Sequence, residues 1–217
     1  MSVKPVLLIA GCRKYEEYLH AAIRRMSRSE WTVIGIRGLA IGADGSDQTA
    51  RFDASTNILT LPIADTYEAL PAKLHAAYKW IYENHPGIPG IFKTDDDMLF
   101  DINALVSAVQ KHKTIPYWGI TASICKSAPV NTGRIELRFA DPTLRPTHQS
   151  AVYCFGAGYW MAASTLPFIA AATSDYAASA LEDVCTGYVM NRAKIMPIKI
   201  ILPYKEFPRC QQLLDLK

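Results

Sequence analysis

The sequence places three consecutive carboxylates, Asp95-Asp96-Asp97, directly after the apolar run Gly90-Ile91-Phe92-Lys93. Carboxylates packed this closely repel one another beside a buried strand. A hard divalent cation, Mg²⁺ or Mn²⁺, would neutralise them with oxygen ligands. Such a cation bridges diphosphate oxygens and stabilises the charge on a departing nucleoside diphosphate. In a parallel α/β sheet, ligands gather at the carboxyl ends of strands, and this triplet stands at such an end. The competing reading is a solvated acidic turn in which one Asp caps the next helix.

The elements that must hold this triplet read as an alternation of strands and helices, which points to an α/β fold. Val6–Ala10 is an apolar first strand ending at Gly11, and Tyr15–Met26 carries Tyr15, Leu19, Ala22, Ile23 and Met26 on one helical face. Thr32–Ile36 and Asn57–Leu61 read as strands, with the Gly- and Asp-rich stretch Gly38–Asp53 as a mobile loop between them. Leu70–Asn84 is the clearest helix, with Pro71 in its first turn and His85-Pro86-Gly87 at its end. A helix over Ile102–His112 follows the triplet. Further on, Tyr117–Ala122 and Ile135–Phe139 read as strands, and Asp141–Gln149 as a polar loop over a site. Tyr153–Ala163 is aromatic and Gly-containing, Leu166–Ala172 reads as a short helix and Leu181–Arg192 as a longer one. The 217 residues suffice for a single domain.

Composition narrows the class. Half the residues are hydrophobic and 20% are charged, as in an ordinary globular protein. The longest apolar runs are too interrupted to span a bilayer, and the N-terminus lacks the zones of a signal peptide. A soluble, cytoplasmic chain is the expectation. The net charge of +3 comes without a dense basic run, which disfavours nucleic acid and leaves room for an anionic small ligand. Five scattered cysteines, Cys12, Cys125, Cys154, Cys185 and Cys210, form no CxxC pair, so neither a disulfide framework nor a zinc site is expected. The sequence has no P-loop, no GxGxxG after the first strand and no GxSxG, which removes the kinase, dehydrogenase and hydrolase readings.

Several motifs, in order, resemble those of the β-1,3-galactosyltransferase and Fringe-like glycosyltransferases. Lys93-Thr94-Asp95-Asp96-Asp97 resembles their DxD region, and Asp65-Thr66-Tyr67-Glu68-Ala69-Leu70-Pro71-Ala72-Lys73 resembles their D-x-Y-x-N-L-T-x-K stretch. Ala22-Ile23-Arg24 is a weaker match to an early A-I-R element. Tyr153-Cys154-Phe155-Gly156-Ala157-Gly158-Tyr159 is similar to Y-C-x-G-x-G-Y, and Glu182-Asp183-Val184 with Gly187 to E-D-V-x-x-G. Ala69 replaces the family's Asn and no His follows Asp183 in the given residues, and a chain without the anchor, stem and disulfide pattern of secretory-pathway members is the expectation. Small anchorless viral or microbial transferases, such as capsid-glycan enzymes of algal viruses, are similar in these respects.

The resemblance implies a GT-A fold: a mainly parallel sheet flanked by helices, with about residues 1–100 binding the nucleotide sugar and about 101–217 the acceptor. It implies a metal-dependent, inverting transfer from a UDP-sugar to a glycan or glycoprotein hydroxyl. Asp183 is then the general base, with Glu182 as substitute or partner, or else a helix cap. Asp97 and Asp95 become the metal ligands for Mn²⁺ or Mg²⁺, and Asp96 a contact to donor hydroxyls. Gly11, Cys12 and Arg13 follow the first strand, where base and ribose would lie. Asp65 and Lys73 would contact the donor, or serve as a turn residue and a solvated helix residue. Gly156, Ala157 and Gly158 are expected as a turn with free amides, Tyr159 and Trp160 as a sugar platform, and His148 as an acceptor contact. The alternatives are a non-catalytic sugar-binding module and a Mg²⁺-dependent nucleotidyltransferase.

Overall fold

The computed structural model describes residues 3–40, 49–124 and 151–206. The expectations for Ile135–Phe139, Asp141–Gln149, His148, Cys125 and Cys210 lie outside the described residues.

Strand β1 (Val6–Ala10) is buried along its whole length, as its unbroken apolar sequence requires. It pairs in parallel with β2 (Thr32–Leu39) on one side and β5 (Gly90–Asp95) on the other. β4 (Ile58–Ala64) extends the parallel part beyond β2, and β3 (Arg51–Asp53) closes that edge antiparallel to β4. On the other side β8 (Ala151–Ala162) runs antiparallel to β5, followed by β7 (Tyr117–Ile124) and the short β9 (Ile198–Lys199). The full order is β3-β4-β2-β1-β5-β8-β7-β9. A separate two-stranded pairing joins β6 (Met98–Phe100) to β10 (Tyr204–Glu206).

The Gly38–Asp53 stretch therefore differs from a single loop. β2 runs on through Gly38 to Leu39, and Arg51–Asp53 forms β3. Gly38 is required by close packing, because a Cβ there would meet the Ile63 carbonyl at 2.5 Å.

Helices cover both faces. α1 (Glu16–Met26) and α3 (Ile102–His112) pack Leu19, Ile23, Met26, Leu105 and Val109 against Leu7, Ile9, Phe92 and Trp118. On the opposite face lie α2 (Leu70–Asn84), α4 (Leu166–Ala170), α5 (Thr173–Ala177) and α6 (Glu182–Arg192). Their Leu74, Tyr78, Ile81, Ile169, Tyr176 and Val189 meet Leu8, Ile34, Ile91 and Tyr159. Each fully buried side chain of this size contributes about 1.5–3 kcal/mol of transfer free energy. Charges at the helix ends follow the dipole: Glu16 and Glu17 open α1, and Arg24 and Arg25 close it. α3 is capped by Asp101, whose carboxylate accepts from Asn103 N at 3.0 Å and Ala104 N at 3.1 Å. The triplet is therefore not the cap of that helix.

β1 connects to β2 on one side, while β5 lies on its other side. The sheet order reverses at the β1–β5 boundary, and Ala10 and Asp95 are register partners there. A crevice outside such a boundary is where open α/β sheets bind ligands.

Candidate functional site

Side chains alternate along β5. Ile91 faces the α2–α6 layer and Phe92 the α1–α3 layer. Lys93 and Asp95 therefore share the Ile91 face. Asp96 is carried to the other side: it is 1% exposed and acts electrostatically on Arg25 of α1. Asp96 is thus turned to the α1 side of the sheet. Asp95, with 34% of its side chain exposed, ends β5. Asp97 occupies the second place of the turn into β6 and is half-buried.

Lys93 is the centre of the site. Its ammonium donates to Asp95 Oδ1 at 2.9 Å, to the Gly156 carbonyl at 2.7 Å and to Glu182 Oε1 at 2.6 Å. Burial alone would lower its pKa, but Asp95 and Glu182 outweigh burial and hold the ammonium well above its ordinary value. Glu182 Oε2 accepts from the Tyr159 hydroxyl at 2.9 Å, which lies 2.6 Å from the Tyr78 hydroxyl. Burial raises Glu182 to about 7 against the attraction of Lys93. Both partners of this ion pair shift upwards because one ammonium cannot neutralise Asp95, Glu182 and nearby Asp183 together.

Asp183 is the next residue of α6 and points differently. Its Oδ2 accepts from Gly156 N at 3.0 Å and its Oδ1 from Val184 N at 2.8 Å. Burial holds its pKa above the usual carboxylate value. The two adjacent carboxylates are thus divided, Glu182 into the core network and Asp183 onto the β8 backbone.

The Gly156–Gly158 stretch is a bulge in β8 and not the expected free turn. Four residues, Phe155–Gly158, stand against Ile120 between the paired positions Gly119↔Tyr159 and Thr121↔Cys154. Its polar backbone is engaged: Gly156 holds Asp183 and Lys93, and the Ala157 carbonyl accepts from Thr94 Oγ1 at 2.8 Å. Gly158 packs under Phe100 and Phe92, where a Cβ would approach within 2.7 Å. Tyr159 and Trp160 are fully buried, so the sugar platform expected there is corrected. The exposed aromatic in this stretch is Phe155, at 42%.

A second cluster lies beyond β1. Lys73 Nζ donates to Asp65 Oδ1 at 2.6 Å and to the Gly11 carbonyl at 2.8 Å. Asp65 Oδ2 accepts from Arg13 N, and Arg13 Nε donates to the Gly38 carbonyl at 3.0 Å. Lys73 is buried and is not the solvated helix residue of the competing reading. Gly11 makes room for Leu19, whose Cδ1 would lie 2.9 Å from a Cβ. Cys12 is half-buried and Arg13 exposed, so the turn presents these two at the carboxyl end of β1.

A family model described as Galactosyltransferase matches residues 41–200. The chain belongs to the galactosyltransferase family. Human β-1,3-galactosyltransferase 2 is 26% identical over 171 residues, which cover 77% of this chain and 40% of that protein. Mouse β-1,3-galactosyltransferase 5 is 24% identical over 212 residues, 94% of this chain and 68% of its own. The chain spans about 40% of the length of the first of these relatives. Two solved structures share the fold at very low identity. One is 4-diphosphocytidyl-2C-methyl-D-erythritol synthase from Anaerococcus prevotii, with a TM-score of 0.52, 10% identity and coverage of 97% and 94%. The other is the Francisella tularensis 2-C-methyl-D-erythritol 4-phosphate cytidylyltransferase, at 0.54, 9%, 98% and 98%. The mainly parallel sheet flanked by helices is the GT-A-type architecture expected of this galactosyltransferase-family chain.

The family match covers the triplet, the β8 bulge and the start of α6, while Gly11, Cys12 and Arg13 precede it. Among the described residues no three His, Cys, Asp or Glu side chains form a metal-binding group. Asp95 and Asp97 carry hard oxygen donors, the ligand type that Mn²⁺ or Mg²⁺ takes. Sequence reasoning gave no role to Lys93 or Phe155. A lysine in the run Gly-Ile-Phe-Lys is itself a signal, since a buried ammonium demands partners.

Proposed function

We propose that this chain transfers a sugar, with inversion, from a UDP-linked donor to a hydroxyl of a glycan or glycoprotein acceptor. The observation that carries this reading is the junction at Lys93 and Gly156, which joins half-buried Asp95 at the end of β5 to Asp183 on α6.

Asp183 takes the proton from the acceptor hydroxyl as its oxygen attacks the anomeric carbon, and the bond to the diphosphate breaks on the opposite face. The raised pKa of Asp183 makes it a stronger base than an exposed carboxylate. Asp95 and Asp97 would hold a divalent cation, which supplies Lewis-acid stabilisation of the departing diphosphate. Arg13 and Cys12 face the nucleotide. Lys73 and Asp65 act behind them, holding the Gly11–Arg13 turn. Phe155 offers the acceptor an aromatic face beside Gly156.

The test is release of UDP from a panel of UDP-sugars with Mn²⁺, with and without glycan acceptors. Acceptor-stimulated UDP release supports the reading. Binding without any turnover would assign the chain to the sugar-binding modules. Pyrophosphate release from a nucleoside triphosphate would assign it to nucleotidyl transfer, as in the Francisella tularensis cytidylyltransferase whose fold it shares.

A further inference from the structure

We propose that Lys93 is a positioning residue that fixes the spacing between the cation-holding end of β5 and the base on α6. The inference rests on the glycosyltransferase reading given above. An ammonium has three donors and no acceptor, and all three of Lys93 are engaged on different elements. They reach Asp95 Oδ1 on β5 at 2.9 Å, the Gly156 carbonyl in the β8 bulge at 2.7 Å and Glu182 Oε1 on α6 at 2.6 Å.

Gly156 makes the connection to the base. Its carbonyl accepts from Lys93 while its own N–H donates to Asp183 Oδ2 at 3.0 Å. Lys93 therefore touches one candidate cation ligand directly and reaches Asp183 through the backbone of a single residue. A Cβ on residue 156 would lie 3.2 Å from Glu182 Oε1, 3.4 Å from Asp183 Oδ2 and 3.5 Å from Lys93 Nζ. The three groups thus converge around this glycine.

Stability does not account for the lysine. Lys93 is 1% exposed, and a buried ion pair is often replaced by apolar residues of similar volume without loss. The ammonium has a further effect: it repels a second cation at Asp95. Removing it should therefore tighten cation binding while slowing transfer, a combination that general loosening of the fold does not produce.

The experiment compares the wild-type chain, Glu182→Gln and the double variant Lys93→Met/Glu182→Gln. The double variant removes the ammonium together with the carboxylate it would strand. Mn²⁺ affinity is read by thermal shift, and kcat and KM by UDP release. Relative to Glu182→Gln, the double variant should bind Mn²⁺ roughly 3- to 10-fold more tightly. Its kcat should fall about 100-fold, the cost of a displaced catalytic group, with donor KM changed by less than about 3-fold. If that variant melts below the assay temperature, Lys93→Gln/Glu182→Gln is read by the same criteria, since it keeps polar partners for Gly156 and Tyr159. Unchanged kcat, or Mn²⁺ affinity that is unchanged or weaker, overturns the proposal. A wild-type chain with neither a Mn²⁺-linked shift nor UDP release overturns the glycosyltransferase reading and this inference with it.

Discussion

Lys73 of α2 and Asp65, eight residues before it, form a 2.6 Å ion pair that also holds the Gly11 carbonyl and the Arg13 amide. The pair is buried, with side-chain exposures of 2% and 3%. Breaking it strands a carboxylate. Lys73→Met should cost about 3–5 kcal/mol of stability in urea unfolding. Lys73→Met/Asp65→Asn should recover most of that loss while donor KM stays raised, because the Gly11–Arg13 turn has lost its tether.

Asp97 and Asp96 are adjacent but should separate cleanly. Asp97→Ala should abolish the Mn²⁺-dependent thermal shift in the presence of UDP. Asp96→Ala should keep that shift and lose about 1–3 kcal/mol of stability, since its charge is set against Arg25. A Mn²⁺ shift that survives Asp97→Ala would remove this residue from the cation site.

Asp183→Asn keeps the shape of the side chain and the bond from Gly156 N but has no basicity. Donor-linked thermal stabilisation should persist, and acceptor-dependent transfer should fall by about 10²–10⁴. Transfer at the wild-type rate would assign the base elsewhere.

Glu182 gives the fold a pH dependence with a defined sign. Its folded pKa is raised from 4.5 to about 7. The folded chain therefore holds a proton that the unfolded chain releases between these values. Its contribution to stability is present in full below about 4.5 and is lost as pH rises through about 7. The melting temperature of the cation-free protein should decline over that window, and Glu182→Gln should flatten the decline. A wild-type profile that rises across the window would contradict the burial assigned to Glu182.

Phe155 is exposed one residue from the amide that holds Asp183. Phe155→Ala should raise acceptor KM roughly 3- to 10-fold through the lost aromatic face and leave donor KM and the Mn²⁺ shift alone. Equal effects on donor and acceptor would show that it does not sort between them.

The periodic segments were legible because burial imposes the period. β1, β5, α2 and α3 fall where the apolar spacing puts them. β3 and β6, at three residues each, carry too little pattern to read. The bulge at Phe155–Gly158 looked like a turn because its glycines are there for room around neighbouring side chains. The triplet and the Glu182-Asp183 pair could be picked out by residue type, but their junction could not. Lys93 and Glu182 are 89 positions apart, and only the sheet order brings them together. The buried place of Tyr159 and Trp160 was hidden for the same reason, since both lie on β8 against β5 and β7.

β5 is fastened on its two sides in opposite senses, by five parallel partners on β1 and five antiparallel partners on β8. A slip of one residue would exchange its two faces. Asp96 would then replace Asp95 at the crevice, and Lys93 would be driven into the layer of Phe92 and Trp118. The run of three identical residues therefore works as a ruler: the strand on either side decides which mark is read, and an insertion or deletion within Gly90–Thr94 would silence the site with every acidic residue still present.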